Sequence, residues 1–144
     1  MIVRTITRAD EGAIWALLVE LGYASLERAA LARALGRFVA HDEMRAWVAE
    51  EAGAIVGLVT LSWRVQLRLG GLLATIDELV VAELARGKGV GAALVRAAKD
   101  HAHALGAARL QVETNAAREA YRRGFYPKNG FVEVDRAVLR IEPP

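Results

Sequence analysis

The chain of 144 residues contains no cysteine. That absence excludes disulfides, thiolate metal sites and a covalent acyl-cysteine intermediate. Histidine is scarce as well: there are three, His41, His101 and His103, and the last two, only two residues apart, project to different helix faces. No metal site is expected, and all three read as surface residues. Long hydrophobic runs are also missing. Arg4, Arg8, Asp10 and Glu11 interrupt the N-terminal apolar residues, unlike a signal peptide. The longest weakly polar run, Ala52 to Trp63, falls well short of the ~20 residues that span a bilayer. The expected location is therefore the cytoplasm, with no membrane partner. Charge of one sign is lacking too, since the formal net charge is only +2. Arg118, Arg122 and Arg123 cluster, but Glu119 interrupts them and no aromatic stacking platform accompanies them, so a nucleic-acid partner is not expected.

What is abundant is apolar residues, 54% of the chain, enough to build one core in a single domain over residues 1–144. Ile2 to Ile6 reads as a first strand. Thr7 with Asp10 resembles a capping box ahead of Ile14, Leu17, Leu18 and Leu21 at helical spacing. Ser25 is placed to cap a second helix carrying Leu31, Leu35 and Phe38 on one face to about Ala40. Strand-like runs follow at Arg45–Glu50, Ala54 to about Val65 and Leu72–Val81, separated by turn signals at Gly53 and Gly70-Gly71. A helix to Leu105, an alternating strand Ala108–Thr114, a helix Ala116–Tyr126 ended by Pro127, and a strand region Phe131–Ile141 complete the order β-α-α-β-β-β-α-β-α-β. A crossover of that length makes the strands at 72–81 and 108–114 parallel, an α/β mixed sheet.

The stretch that organises the chain is Ala85-Arg86-Gly87-Lys88-Gly89-Val90-Gly91, between a strand and a helix. Glycines let the backbone turn sharply and bring several N–H groups to one point, and a helix N-terminus carries about half a positive charge. With Arg86 and Lys88 beside it, the loop suits phosphate or pyrophosphate. It is neither a Walker loop, having no Gly-Lys-Ser/Thr, nor a dinucleotide G-x-G-x-x-G fingerprint. A plain tight turn with solvated cations is the alternative reading of the same residues.

Three features in order resemble the GNAT superfamily of acyl-CoA-dependent N-acyltransferases. Arg86, Gly89 and Gly91 match its pyrophosphate motif [QR]-x-x-G-x-[GA]; Ile76-Asp77-Glu78-Leu79-Val80-Val81 looks like its acidic-then-apolar fourth strand; Asn115 and Phe125-Tyr126-Pro127-Lys128-Asn129-Gly130-Phe131 are similar to its asparagine and F-Y-x-K-x-G-F signature. Glu83 and Ala85 stand where the family often has proline and an aromatic. The resemblance covers residues 76–131 in motif and 1–75 only in pattern.

It implies a single GNAT-like domain whose fourth and fifth strands splay around acetyl-CoA, and transfer of an acetyl group to a primary amine by direct attack in a ternary complex. Leu79, Val80, Val81, Arg86, Gly87, Lys88, Gly89, Val90, Gly91, Ala92 and Asn115 would bind the donor; no metal is implied. An ammonium with a pKa near 10.4 must lose a proton before it can attack, so a base is needed. Glu78 is the candidate, with Glu113 in reserve and Asp77, adjacent to Glu78, expected on the opposite side of the strand. A backbone N–H of Leu79, Val80 or Val81 would meet the thioester oxygen. Tyr126 would protonate the departing thiolate, with helix-end packing as its alternative. The acceptor is expected to be a small-molecule amine; protein N-termini or lysines, or a non-catalytic acyl-CoA-binding module, are the alternatives. Dimerisation is common in the family, though no interface is legible.

Overall fold

The computed structural model describes residues 1–114 and 118–144. The elements run β1 (Ile2–Thr5), α1 (Glu11–Glu20), α2 (Arg28–Ala40), β2 (Met44–Glu51), β3 (Ala54–Gln66), β4 (Gly71–Val81), α3 (Val90–Ala104), β5 (Arg109–Val112), α4 (Glu119–Arg122) and α5 (Phe125–Lys128). Through β5 this is the expected order. The chain forms two compact units, Met1–Glu113 and Thr114–Pro144.

In the first unit the strands lie side by side in the order β1-β2-β3-β4-β5. The first three pairings are antiparallel and β4–β5 is parallel, because α3 carries the chain back to start β5 beside the beginning of β4. β4 pairs with β3 up to Val81 but with β5 only from Leu73 to Ile76. The two parallel strands therefore part after the Ile76–Val112 pair.

Helices cover both faces. α1 follows a 3-10 turn that opens with the expected capping box, in which the Thr7 N–H donates to Asp10 Oδ2 at 2.8 Å. Buried Asp10 also accepts from Arg4 Nη1 and Nη2, both at 2.9 Å. Those hydrogen bonds from Arg4 hold its carboxyl below the ordinary value against the opposing cost of burial. Ile14, Leu17, Leu18 and Leu35 of α1 and α2 pack on Ala46, Val48, Leu58 and Val80. Ser25 does not cap α2; Glu27 occupies that position, because a turn closed by the Leu26 N–H to Tyr23 O bond takes up Ser25 first.

On the other face α3 buries Val90, Leu94, Val95, Ala98 and Ala102. Gly57 of β3 makes this approach possible. A Cβ there would lie 2.8 Å from Leu94 Cδ1 and 3.1 Å from Val90 Cγ1. His101 is not a free surface residue: its ring packs against Trp47 and Trp63, with centroids 5.5 and 5.1 Å away. Burial, with a smaller contribution from Arg45, holds the imidazole below its ordinary value.

The second unit departs from expectation. The helix expected over Ala116–Tyr126 begins outside the described residues, and from 118 onward α4 and α5 stand in its place, broken at Gly124, whose φ of 68° is left-handed. Pro127 does not end a helix but sits in the first turn of α5, where its missing N–H costs nothing. Tyr126 packs edge-on against Phe125 and Phe131, at 5.2 and 6.0 Å. No strand forms over residues 131–141. Val132 and Leu139 there are 85% and 92% exposed, so β-propensity has no neighbouring strand to satisfy it.

Candidate active site

The glycine loop joins β4 to α3 as expected. Gly87 and Gly89 adopt left-handed φ values of 75° and 85°, and Cβ atoms built on either would meet nothing within 4 Å. Both need glycine for backbone reasons, and both front open space. Residues 86–89 are exposed, with Arg86 Nε anchored 3.2 Å from Val81 O. The α3 ladder begins with Ala93 N–H donating to Gly89 O at 3.0 Å, so the amides of Val90, Gly91 and Ala92 stand ahead of it at the positive end of the helix. An anionic diphosphate suits this cradle in shape and charge.

One strand back, the register of β4 shifts. Glu78 pairs with Thr60 while Ile76 pairs with Leu61, leaving Asp77 as an extra residue, a β-bulge. The consequence corrects the alternation expected for the two acids. Thr60 and Ser62 share the β3 face that carries Leu58. Glu78 hydrogen-bonds Thr60 and Asp77 hydrogen-bonds Ser62, so both carboxylates reach that same face.

Thr60 holds Glu78 at two points. Its hydroxyl oxygen accepts from the Glu78 N–H at 2.9 Å, and its O–H donates to Glu78 Oε2. Thr60 is buried, whereas Glu78 is an exposed residue. Desolvation, aided by the neighbouring charge of Asp77, pushes the Glu78 carboxyl up to about 7. Such a group exchanges a proton readily near neutrality. Nothing in the sequence marks Thr60, because its partner is chosen by the register of two strands.

Strand alternation sorts the amides that follow. Ala82 N–H donates to Val56 O and Glu78 N–H to Thr60, both toward β3. The Val80 amide therefore turns to β3 as well, and those of Leu79 and Val81 turn to the edge along which β5 pairs lower down.

At the fork where the parallel strands part lies a cleft of about 190 Å³, lined by Arg64, Thr75, Ile76, Asp77, Gln111 and Glu113. Asp77 and Glu113 are the first residues past the last β4–β5 pair. Desolvation, and to a smaller degree Glu113, raises the Asp77 carboxyl, while Ser62 and Arg64 act against that rise. A larger cavity of about 470 Å³ lies between α1 and the β2–β3 turn. Its buried charge is already committed, Arg4 bonding Asp10 and, at 3.0 Å, Glu50.

Tyr126 belongs to the second unit. Asn115 lies outside the described residues. Among the described residues no helix is long and apolar enough to cross a membrane.

Known proteins resemble this chain in sequence or in fold. An aminoalkylphosphonate N-acetyltransferase from Salmonella typhimurium is 27% identical over 129 residues, 90% of this chain and 83% of that protein. A transcriptional regulator from Bacillus halodurans C-125 superimposes with a TM-score of 0.89 at 24% identity, covering 97% of this chain and 98% of that one. An integron cassette protein from the mobile metagenome of Cole Harbour Salt Marsh does so with a TM-score of 0.84 at 31% identity, covering 96% and 88%. The model of the acetyltransferase (GNAT) family matches residues 11–131, and the chain belongs to that family.

Proposed function

We propose that this acyltransferase moves an acetyl group from acetyl-CoA to the primary amine of a small molecule, with residues 1–144 acting as one catalytic domain. The observation that carries the reading is Glu78, a carboxyl pushed up to about 7 and held by Thr60 on the strand that leads into the glycine loop. The family match across residues 11–131 supports a single functional domain. The name of the Salmonella relative supports a small aminated acceptor.

In this reading Arg86, Gly87, Lys88 and Gly89, with the amides of Val90, Gly91 and Ala92, hold the donor's diphosphate. The bound donor supplies an activated thioester. The Leu79 and Val81 amides are directed to receive charge on its carbonyl oxygen. Asn115 is the proposed contact to the pantetheine arm. Glu78 takes one proton from the acceptor ammonium, and the freed nitrogen forms a C–N bond as the C–S bond breaks. Tyr126 gives its proton to the departing thiolate and regains one from the nitrogen through solvent, so the net products are amide, thiol and one proton. The lack of cysteine excludes an acyl-cysteine intermediate, and with the family match it supports direct transfer from donor to amine.

The test is thiol release from acetyl-CoA with an amine panel across pH 5–9. Turnover that rises with pH through about 7, in step with ionisation of Glu78, is expected. Acetyl-CoA binding without thiol release for any amine would instead favour the binding-module alternative. Tyr126→Phe should lower kcat while acetyl-CoA binding persists; unchanged turnover removes Tyr126 from the mechanism.

A further inference from the structure

The cleft at the β4–β5 fork carries a charge pattern that acetyl transfer by itself does not require. Asp77 and Glu113 stand on its two diverging strands, and Arg64 of β3 completes the lining. Thr60, Ser62 and Arg64 alternate onto one face of β3, so the cleft opens on the same face as Glu78. Arg64 is exposed and acts on Asp77 through space; among the described residues no hydrogen bond or ion pair engages its guanidinium. Its fork of N–H donors suits a second, planar or tetrahedral anion. The Thr75 hydroxyl, another lining residue, is buried without a hydrogen-bond partner among the described residues.

The lining therefore holds two negative groups and one positive group around a small space. A lone ammonium would satisfy the carboxylates and leave Arg64 aside. A diamine would bring a second cation against Arg64. A simple anion would meet two carboxylates. A molecule with both signs gives each of the three side chains a partner of opposite charge. The volume, about 190 Å³, is below the roughly 300–1,000 Å³ of drug-sized pockets, so the match is to a compact molecule.

We propose that this cleft is the acceptor subsite and that the acceptor is a small aminoalkyl acid, its ammonium seated between Asp77 and Glu113 and its carboxylate or phosphonate on Arg64. The proposal rests on the acetyl-transfer reading and adds to it the class of acceptor and three residues that select it. It also supplies a chemical logic for the base. A cation arriving beside Asp77 favours the ionised form of Glu78, the form able to take the proton. The amine thereby promotes its own deprotonation. Arg64, set to the far side, keeps the acid group away from the reacting nitrogen.

The experiment compares matched acceptors of equal chain length: an aminoalkyl carboxylate, an aminoalkyl phosphonate, the corresponding amino alcohol and the corresponding diamine. In the full-length protein, kcat/KM for at least one of the two acids should exceed that for the alcohol and the diamine by tenfold or more. Arg64→Gln should collapse that ratio to below threefold, and exposed Arg64 makes misfolding of the variant a minor concern. Asp77→Asn and Glu113→Gln should raise KM for every amine. Equal rates with all four acceptors, or a preference that survives Arg64→Gln, would overturn the assignment while leaving acetyl transfer standing. Calorimetric titration of each acid into wild type and Arg64→Gln reads the cleft without turnover. If no amine releases thiol, acid binding that depends on Arg64 still supports the subsite, and its absence refutes it.

Discussion

The two faces of the sheet are built from the same strands and serve opposite purposes. On the α3 face Leu61, Ile76 and Leu94 are at most 2% exposed, and Gly57 lets helix and sheet meet at closest approach. On the opposite face the apolar core ends at Leu58 and Val80, and Thr60, Ser62, Asp77 and Glu78 continue the same strands. The difference is produced by the bulge at Asp77. With strict alternation one of two consecutive acids would point into the α3 core, at a cost that no apolar interior tolerates without a partner. The extra residue lets Ile76 stay buried on one side while both acids leave on the other. Rigid packing behind the strand thus fixes the position of a reactive group in front of it.

Breaking the reactive face should have the largest effect. Glu78→Gln should lower kcat/KM by about 10²- to 10⁴-fold and abolish the rise in rate through pH 7, with acetyl-CoA affinity retained in a titration. The sign of its effect on stability is opposite. A carboxyl raised above its unfolded value favours the fold most below about 4.5, and that contribution is lost as pH climbs through 7. The same variant should therefore melt higher than wild type at pH 8 and alike at pH 4.

Breaking the packed face should leave chemistry alone until the fold gives way. Gly57→Val forces a side chain against Leu94 and Val90 and should cost about 1–3 kcal/mol, read as a lower denaturant midpoint. A midpoint equal to wild type would mean that α3 can retreat freely.

The glycine loop sharpens the contrast, because it is strained without being crowded. Gly89→Val should weaken acetyl-CoA binding about tenfold, or roughly 1.4 kcal/mol. Gly106→Val supplies the control: φ is 69°, its surroundings are equally open, and it lies past the other end of α3. It should lose similar stability and bind the donor normally; equal loss of affinity in both would reduce the loop effect to backbone strain.

The smallest change is expected from Thr60→Val. It removes the O–H that favours the Glu78 carboxylate, so the rise in rate should move to higher pH, with a few-fold loss at pH 7. Thr60→Ser should restore the profile. An unmoved profile in the valine variant would make Thr60 a packing residue only.

Much of this was legible along the chain. The glycine loop was readable because its N–H groups, its cations and the following helix are contiguous, and the acids on the strand before it were visible for the same reason. The role of Gly57 and the hold of Thr60 on Glu78 were not, since each is a contact between residues distant in sequence. His101 misled because helical spacing does not say what lies above a face, here Trp47 and Trp63. The stretch 131–141 misled in the reverse direction: alternating valines describe a strand, but only a neighbour makes one.

By itself, then, the sequence determined what contiguous residues can determine: the element order through β5, the anion cradle at 86–91, and the family those motifs bespeak. Tertiary structure alone decided which way Asp77 and Glu78 face, what holds Glu78, and that Arg64 and Glu113 meet Asp77 at one fork. The physical reason is the period of two in a strand. A single inserted residue reverses every side chain that follows it, and where that insertion falls is set by pairing with β3, far along the chain.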